Sequence, residues 1–168
     1  MPILEKAIQI DPRYIKPYNN IGLIHLNNGN PQKAIPYFVK TLEAKPDYIE
    51  VLNNMGLAYS RIGNRQEALK YYSRVKKIDP DYAEVYNNLC VLFLTEKNYP
   101  VAIENCQKSI YLKPHYSTPY NNLGVIAIYQ NRWHDAEIYF SQAIRYQPRY
   151  PKALNNLGVV FKQQGELS

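Results

Sequence analysis

Apolar side chains recur along this chain at the spacing of amphipathic helices, in segments that come in pairs. In residues 49–82, the first segment has a three–four spacing, with apolar residues at Leu52, Met55, Tyr59 and Ile62. Gly63-Asn64 interrupts that pattern. A second segment then carries apolar residues at Ala68, Leu69, Tyr72, Val75 and Ile78, and it ends at Asp79-Pro80. The pattern predicts a helix, a short turn, a second helix and another short turn.

This unit repeats with a period of 34 residues. Five prolines keep the interval: Pro12, Pro46, Pro80, Pro114 and Pro148. Five asparagine pairs keep it as well: Asn19-Asn20, Asn53-Asn54, Asn87-Asn88, Asn121-Asn122 and Asn155-Asn156. So strict a period indicates stacked repeats, each packing on its neighbours. We therefore expect an all-α fold, a right-handed superhelix of stacked antiparallel helix pairs.

The period also predicts how the chain is divided. Residues 1–168 form a single array with complete units at 15–48, 49–82, 83–116 and 117–150. Residues 1–14 resemble the second helix of a truncated unit, and residues 151–168 resemble the first helix of another. Arrays normally end in polar capping segments, which are not evident, so we expect a fragment of a larger repeat protein. The complementary half-units suggest head-to-tail self-association through uncapped ends as a hypothesis.

Small residues recur where two helices of a unit should approach each other. Glycine recurs in the first helices, at Gly22, Gly56, Gly124 and Gly158. Glycine costs about 1 kcal/mol relative to alanine inside a helix, so its recurrence indicates close packing. The third unit has Cys90 at the glycine position and Cys106 at the position of Phe38, Tyr72 and Phe140. We expect two buried free thiols, with an intra-repeat disulfide as the alternative. Reduced thiols favour a cytoplasmic or nuclear location.

These features resemble the tetratricopeptide repeat family, whose period is also 34 residues. The residues that carry the resemblance in the second unit are Leu52, Met55, Gly56, Tyr59, Ala68, Tyr72 and Pro80. The resemblance covers essentially the whole chain. It implies a scaffold for protein–protein interaction and names no partner.

The first helices of such an array line its concave face, and the side chains beside their core positions should border a groove. The predicted peptide-binding residues are Asn20, Asn54, Asn88, Asn122, Asn156, Leu23, Leu57, Val91 and Val125. A carboxamide offers two N–H donors and a carbonyl acceptor. Neighbouring helices lie about 8–10 Å apart and an extended peptide rises about 3.3 Å per residue, so the amides can hold a main chain at about every third residue. The alternative is a hydrogen bond from either asparagine column to a neighbouring helix.

The segments Tyr120-Asn121-Asn122-Leu123-Gly124 and Pro114-His115-Tyr116 are similar to the repeats of O-GlcNAc transferases and SPINDLY-type O-fucosyltransferases. That resemblance implies an asparagine ladder that holds substrate polypeptides, at the five second-column asparagines from Asn20 to Asn156. One alternative function is therefore the substrate-recruiting region of a protein O-glycosyltransferase. The chain has no glycosyltransferase domain, so the resemblance implies no activity.

The charged residues bear on two alternative functions, RNA binding and the docking of an acidic chaperone tail. The formal net charge of +6 invites an RNA-binding helical repeat, but the charges predicted on the inner face have mixed sign: Lys16, Glu50, Glu84 and Lys152. We expect no nucleic-acid partner. A module that docks the acidic tail of a chaperone needs converging basic side chains. The matching positions are Asn19, Leu23, Asn54 and Glu84, which offer none.

The sequence shows no motif that is typical of an enzyme or of a membrane protein. His25, His115 and His134 share no metal-ligand spacing with the cysteines, and phosphate-loop or nucleophile motifs do not occur. The predictions are a protein that is not an enzyme, with no cofactor and no metal. No apolar run approaches the roughly 20 residues that span a bilayer, and no signal peptide is evident, so no membrane association is expected.

Overall fold

The structure, a computed structural model, describes Lys6 and residues 15–166, with side chains as far as Gly165. The helix predicted in residues 1–14 lies outside the described residues apart from Lys6. The described part is all-α, as predicted, and 15–166 contains nine helices: α1 Ile15–Asn27, α2 Pro31–Ala44, α3 Ile49–Arg61, α4 Arg65–Ile78, α5 Ala83–Thr95, α6 Tyr99–Leu112, α7 Ser117–Tyr129, α8 Trp133–Tyr146 and α9 Pro151–Glu166. The chain divides into two compact units. The first, Met1–Asp81, contains α1–α4, and the second, Tyr82–Ser168, contains α5–α9.

The turn inside each hairpin repeats in backbone conformation. One residue per turn has a left-handed backbone, with φ of 74° at Gly29, 79° at Gly63, 58° at Lys97 and 58° at Asn131. The residue after it bonds back to the preceding helix; for example, the Asn64 N–H donates to the Tyr59 carbonyl at 2.9 Å. This bond satisfies one of the free carbonyls at a helix end. Glycine adopts this φ without a steric penalty, and Lys97 does not.

Glycine-to-ring packing closes both hairpins of the first unit. A Cβ added to Gly22 in α1 would lie 2.5 Å from Cε1 of Phe38 in α2, and Gly56 in α3 faces Tyr72 in α4 in the same way. Both rings are fully buried. A core cluster joins the two hairpins and contains Leu26, Ala34, Phe38, Val51, Met55 and Ala58. Only glycine fits at these two positions, because the aromatic ring fills the space that a Cβ would occupy.

In the second unit, one hairpin keeps this arrangement and another replaces it. Gly124 in α7 faces the buried ring of Phe140 in α8. At the equivalent positions of α5 and α6, Cys90 and Cys106 form a disulfide with their Cα atoms 5.2 Å apart. The expectation of free thiols is therefore wrong. The two positions point at each other across every hairpin, and a pair of cysteines placed there lies within the Cα separation that a disulfide requires.

Candidate functional site

The predicted site residues lie on consecutive first helices within each unit. In the first unit α1 contacts α3, and in the second unit α5 contacts α7 and α7 contacts α9. Equivalent side chains of adjacent repeats therefore share one surface inside a unit. We call it the first-helix face of that unit. Its members are Asn20, Leu23, Asn54 and Leu57 in the first unit, and Asn88, Val91, Asn122, Val125 and Asn156 in the second unit.

In the first unit, all four members of the first-helix face keep some exposure to solvent. Asn20 is exposed and Asn54 is half-buried. Leu23 and Leu57 are partly buried and pack on the core cluster, so part of each side chain is left for a ligand. The neighbouring Asn19 has a buried Oδ1 with no hydrogen-bond partner among the described residues. A buried acceptor without a donor costs about 1–3 kcal/mol.

In the second unit, the two asparagine columns bond to each other. Nδ2 of Asn122 donates to Oδ1 of Asn87 at 3.0 Å, and Nδ2 of Asn156 donates to Oδ1 of Asn121 at 3.1 Å. Each bond spans 35 residues, one more than the period, so the second asparagine of one repeat meets the first asparagine of the preceding repeat. Asn122 is only 8% exposed, whereas Asn156 is partly exposed.

These bonds orient a row of amides without using all of their hydrogen-bonding capacity. A carboxamide that donates one N–H keeps a second N–H and its carbonyl oxygen. Val125 is partly buried beside the row, and Val159, the equivalent residue of α9, is 54% exposed. Asn88 and Val91 are also partly buried. Fixed neutral amides bordered by aliphatic side chains suit an uncharged main chain better than an ionic ligand.

The charged side chains near this surface are scattered and of both signs. Lys16 and Lys152 are exposed, and the Glu84 carboxylate is 2.7 Å from Nζ of Lys113. Burial is the main cause that raises the pKa of Tyr116, and the nearby Glu84 carboxylate adds to the effect. The Tyr116 phenol therefore stays neutral near physiological pH. The surface offers scattered charges and no concentrated basic cluster.

The described residues were searched for side chains that could form a metal site, and the histidines were located. Within it, no group of three His, Cys, Asp or Glu side chains is placed to hold a metal ion. His25 stacks on Tyr37 with ring centroids 5.5 Å apart, and His115 lies 5.0 Å from the Tyr146 ring. Across 15–166, no helix is both long and apolar enough to span a membrane.

Sequence reasoning missed that the two asparagine columns interlock. It treated each column separately, as facing either a ligand or a neighbouring helix. The signal in the sequence was that two asparagines are adjacent in every repeat. The second asparagine of one first helix can then lie beside the first asparagine of the preceding first helix. Ligand contacts at the first-helix face remain a prediction.

Comparison with protein families identifies repeats over much of the chain. Tetratricopeptide repeat models match residues 13–81 and residues 53–117. An Est1 DNA/RNA binding domain model matches residues 102–165. A search of curated proteins finds no match.

Solved structures show a similar fold. MamA is 23% identical with a TM-score of 0.66, over 87% of this chain and 85% of that one. PilF of Pseudomonas aeruginosa is 21% identical with a TM-score of 0.76, over 90% of this chain and 69% of that one. A chain in the APC/C hetero-tetramer Cut9–Hcn1 is 18% identical with a TM-score of 0.84, over 96% of this chain and 32% of that one. These matches show the fold, and the family models identify tetratricopeptide repeats within residues 13–117.

Proposed function

We propose that this protein is an interaction scaffold that binds extended polypeptide segments on the first-helix face of each unit. The observation that carries the proposal is the set of carboxamides bordered by aliphatic side chains, of which Asn20 is exposed and Asn54 and Asn156 are partly exposed. The tetratricopeptide repeat models that match residues 13–81 and 53–117 support a protein partner. A structurally similar chain was crystallised within the APC/C hetero-tetramer Cut9–Hcn1, which is consistent with the same role for this fold.

Main-chain recognition follows from what the face can supply. An extended peptide presents one N–H and one C=O per residue, and both need partners when water is excluded. The second N–H and the carbonyl oxygen of a carboxamide match that pair. Each bond contributes about 0.5–1.5 kcal/mol net, and aliphatic burial adds about 25 cal/mol per Å². Because the peptide also loses conformational freedom, we expect modest affinity and broad sequence tolerance.

In a narrower form of the proposal, the bound segments are substrates of a protein O-glycosyltransferase. Its support is the resemblance of the segments Tyr120–Gly124 and Pro114–Tyr116 to the repeats of such enzymes. Docking of an acidic chaperone tail has less support, because the face has no converging pair of basic side chains. The disulfide between Cys90 and Cys106 also removes the argument from reduced thiols for a cytoplasmic or nuclear location.

RNA binding is a second candidate, favoured by the match of residues 102–165 to an Est1 DNA/RNA binding domain model and by the net positive charge. A mobility-shift titration with single-stranded RNA at two salt concentrations tests it. RNA binding predicts a shift that weakens steeply as salt rises, whereas the polypeptide proposal predicts no shift at physiological salt.

The first unit offers the cleanest test of polypeptide binding, because Asn20 is exposed and Asn54 is half-buried. A peptide array selects unstructured ligands, and fluorescence anisotropy measures their affinity. Losing two bonds of about 0.5–1.5 kcal/mol each predicts that the Asn20→Ala/Asn54→Ala variant binds about 5- to 150-fold more weakly. Tyr111→Ala is the matched control, because Tyr111 lies on the second helix α6 and is 77% exposed. Equal affinity of the double variant, with an unchanged circular dichroism spectrum, would overturn the proposal.

A further inference from the structure

The disulfide between Cys90 and Cys106 lies directly behind the first-helix face of the second unit. Both cysteines are fully buried. They belong to a core cluster that joins α5, α6 and α7, and its other buried members are Ala102, Leu123 and Ile126. Cys90 is followed in the chain by Val91, and Leu123 is preceded by Asn122. The cluster that contains the disulfide therefore supports two members of the face.

The α5–α6 hairpin lacks two non-covalent features that close both hairpins of the first unit. There, a buried aromatic ring packs on a glycine, and the left-handed residue of each turn is a glycine, Gly29 or Gly63. In α5–α6 the ring position holds Cys106, and the left-handed residue is Lys97, with φ of 58°. That backbone conformation is unfavourable for a residue with a Cβ. The disulfide therefore takes the place of the packing that a ring provides in the other hairpins.

The position of α5 affects the amides of the face. Asn87 lies three residues before Cys90, about one helical turn away, and its Oδ1 accepts the 3.0 Å bond from Nδ2 of Asn122. Asn88 and Val91, both members of the face, also lie on α5. A shift of α5 against α6 and α7 therefore moves these two side chains and changes the orientation of Asn122. The first unit has no cysteine, so its face has no such coupling.

We propose that the Cys90–Cys106 disulfide is a redox switch of polypeptide binding at the first-helix face of the second unit. This inference rests on the proposed function and adds its regulation. In the oxidised chain, the covalent bond holds α5 in the position that aligns the amides. In the reduced chain, two small unbonded thiols stand where the other hairpins have a ring on a glycine. The α5 helix then shifts, and the affinity for polypeptide falls.

The reductant is a dithiol, such as dithiothreitol or the active site of a dithiol oxidoreductase. One thiolate of the dithiol attacks a sulfur of the disulfide and forms a mixed disulfide, which its second thiolate then breaks. The chain gains two electrons and two protons, and the dithiol loses them and becomes a disulfide. Because both cysteines are buried, the reductant reaches a sulfur only when the α5–α6 hairpin opens. A ligand that holds α5 in place therefore slows reduction.

Peptide affinity in the two redox states tests the switch. The protein is Asn20→Ala/Asn54→Ala, in which the second unit keeps its face intact. An unstructured peptide selected on the oxidised protein is titrated by fluorescence anisotropy before and after complete reduction with dithiothreitol, which mass spectrometry of alkylated thiols verifies. We expect at least about tenfold weaker binding after reduction, with an unchanged circular dichroism spectrum.

Two variants separate the bond from other effects of dithiothreitol. Cys90→Gly/Cys106→Phe restores the ring-on-glycine packing of the other hairpins, so it should keep the affinity of the oxidised chain with or without dithiothreitol. Cys90→Ala/Cys106→Ala has neither the bond nor the ring, so it should bind as weakly as the reduced chain under both conditions. Circular dichroism verifies that each variant is folded.

Linkage provides a reciprocal measurement. If the oxidised chain binds the peptide about tenfold more tightly, saturating peptide favours the oxidised state by the same factor. That factor lowers the reduction potential of this two-electron couple by about 30 mV, which equilibration in dithiothreitol buffers with and without peptide measures. Side-chain amide resonances of the native chain report the geometry without any peptide. Reduction should shift the resonance of Asn122 in the second unit and leave that of Asn54 in the first unit unchanged.

The outcomes distinguish failure of the switch from failure of the proposed function. If the oxidised chain binds no peptide, the proposed function is wrong, and the switch is wrong with it. Equal affinity of the oxidised and reduced chains, with peptide binding intact, overturns the switch alone. The same conclusion follows if the Asn122 amide resonance does not move on reduction, or if reduction unfolds the whole chain instead of releasing α5.

Discussion

The same substitution, glycine to alanine, should have opposite effects at two positions one period apart. Gly124 and Gly158 occupy equivalent places in α7 and α9, both in the second unit. A Cβ at Gly124 would lie 2.5 Å, 2.7 Å and 2.7 Å from three atoms of the Phe140 ring, whereas a Cβ at Gly158 would meet nothing within 4 Å. The pair therefore separates the steric role of the glycine from its helix propensity.

The magnitudes follow from two contributions. Alanine gains about 1 kcal/mol over glycine in a helix interior at either position. At Gly124 the gain is opposed by overpacking of about 1–3 kcal/mol, because the fully buried Phe140 ring has no solvent to move into. We expect Gly158→Ala to raise the free energy of unfolding by about 1 kcal/mol, and Gly124→Ala to leave it unchanged or lower it by as much as about 2 kcal/mol. The two variants then differ by about 1–3 kcal/mol.

Urea unfolding followed by far-ultraviolet circular dichroism measures this difference. With an m-value of about 2 kcal/mol per M, the midpoints separate by roughly 0.5–1.5 M urea. A double-mutant cycle with Phe140→Leu identifies the ring as the cause, because shrinking the ring should relieve part of the cost of Gly124→Ala. Equal shifts for the two alanine variants, or no coupling to Phe140, would refute the reasoning.

Four further predictions concern stability. Reduction of the Cys90–Cys106 disulfide should lower the free energy of unfolding by about 3 kcal/mol, as expected for a loop of this length, and Cys90→Gly/Cys106→Phe should remove the sensitivity to dithiothreitol in urea titrations. Lys97→Gly should raise stability by about 1 kcal/mol in thermal scans, because Lys97 has φ of 58°. Asn122→Ala should cost about 1–3 kcal/mol in urea, because it leaves a buried acceptor in the preceding repeat unpaired. Burial raises the pKa of the Tyr72 phenol above its ordinary value of 10.0; the unfolded chain ionises first, so stability measured against pH should fall as pH rises above 10.0.

Each of these has a contradicting result. An unfolding midpoint that does not change on reduction argues against the disulfide. A loss of stability in Lys97→Gly means that the turn does not need a left-handed residue. Unchanged stability of Asn122→Ala argues against the bond between the asparagine columns. Stability that stays constant above pH 10 argues against a phenol that is neutral and buried in the folded state.

The helices and their pairing could be predicted because the signals are local. Apolar spacing and the recurring prolines carry the information for the helix pairs, and the recurrence of Gly22 and Gly124 correctly indicated close packing between helices. The buried rings of Phe38 and Phe140 explain that packing. These features can be recognised from the sequence alone because most repeats show them at the same interval.

The disulfide and the asparagine bonds could not be derived in the same way, because both depend on where side chains point. Cys90 and Cys106 read as small gap-filling residues until their positions are seen to face each other, as glycine and ring do in the other hairpins. For Asn122 the sequence left two possibilities, a ligand contact or a bond to a neighbouring helix, and the structure shows a bond to Asn87 of the preceding repeat. A helical period identifies a face, but it does not show which of two adjacent amides crosses to the neighbouring helix.

The central claim is that the first-helix face holds an extended polypeptide, and site-specific photo-crosslinking tests it most directly. A photoreactive residue replaces Leu57 on that face or, in a separate protein, Tyr111 on the outer surface of α6, and each is irradiated with an array-selected peptide. The account predicts crosslinks from position 57 that an excess of unlabelled peptide suppresses, with none from position 111. Specific crosslinks from position 111 and none from position 57 would contradict it.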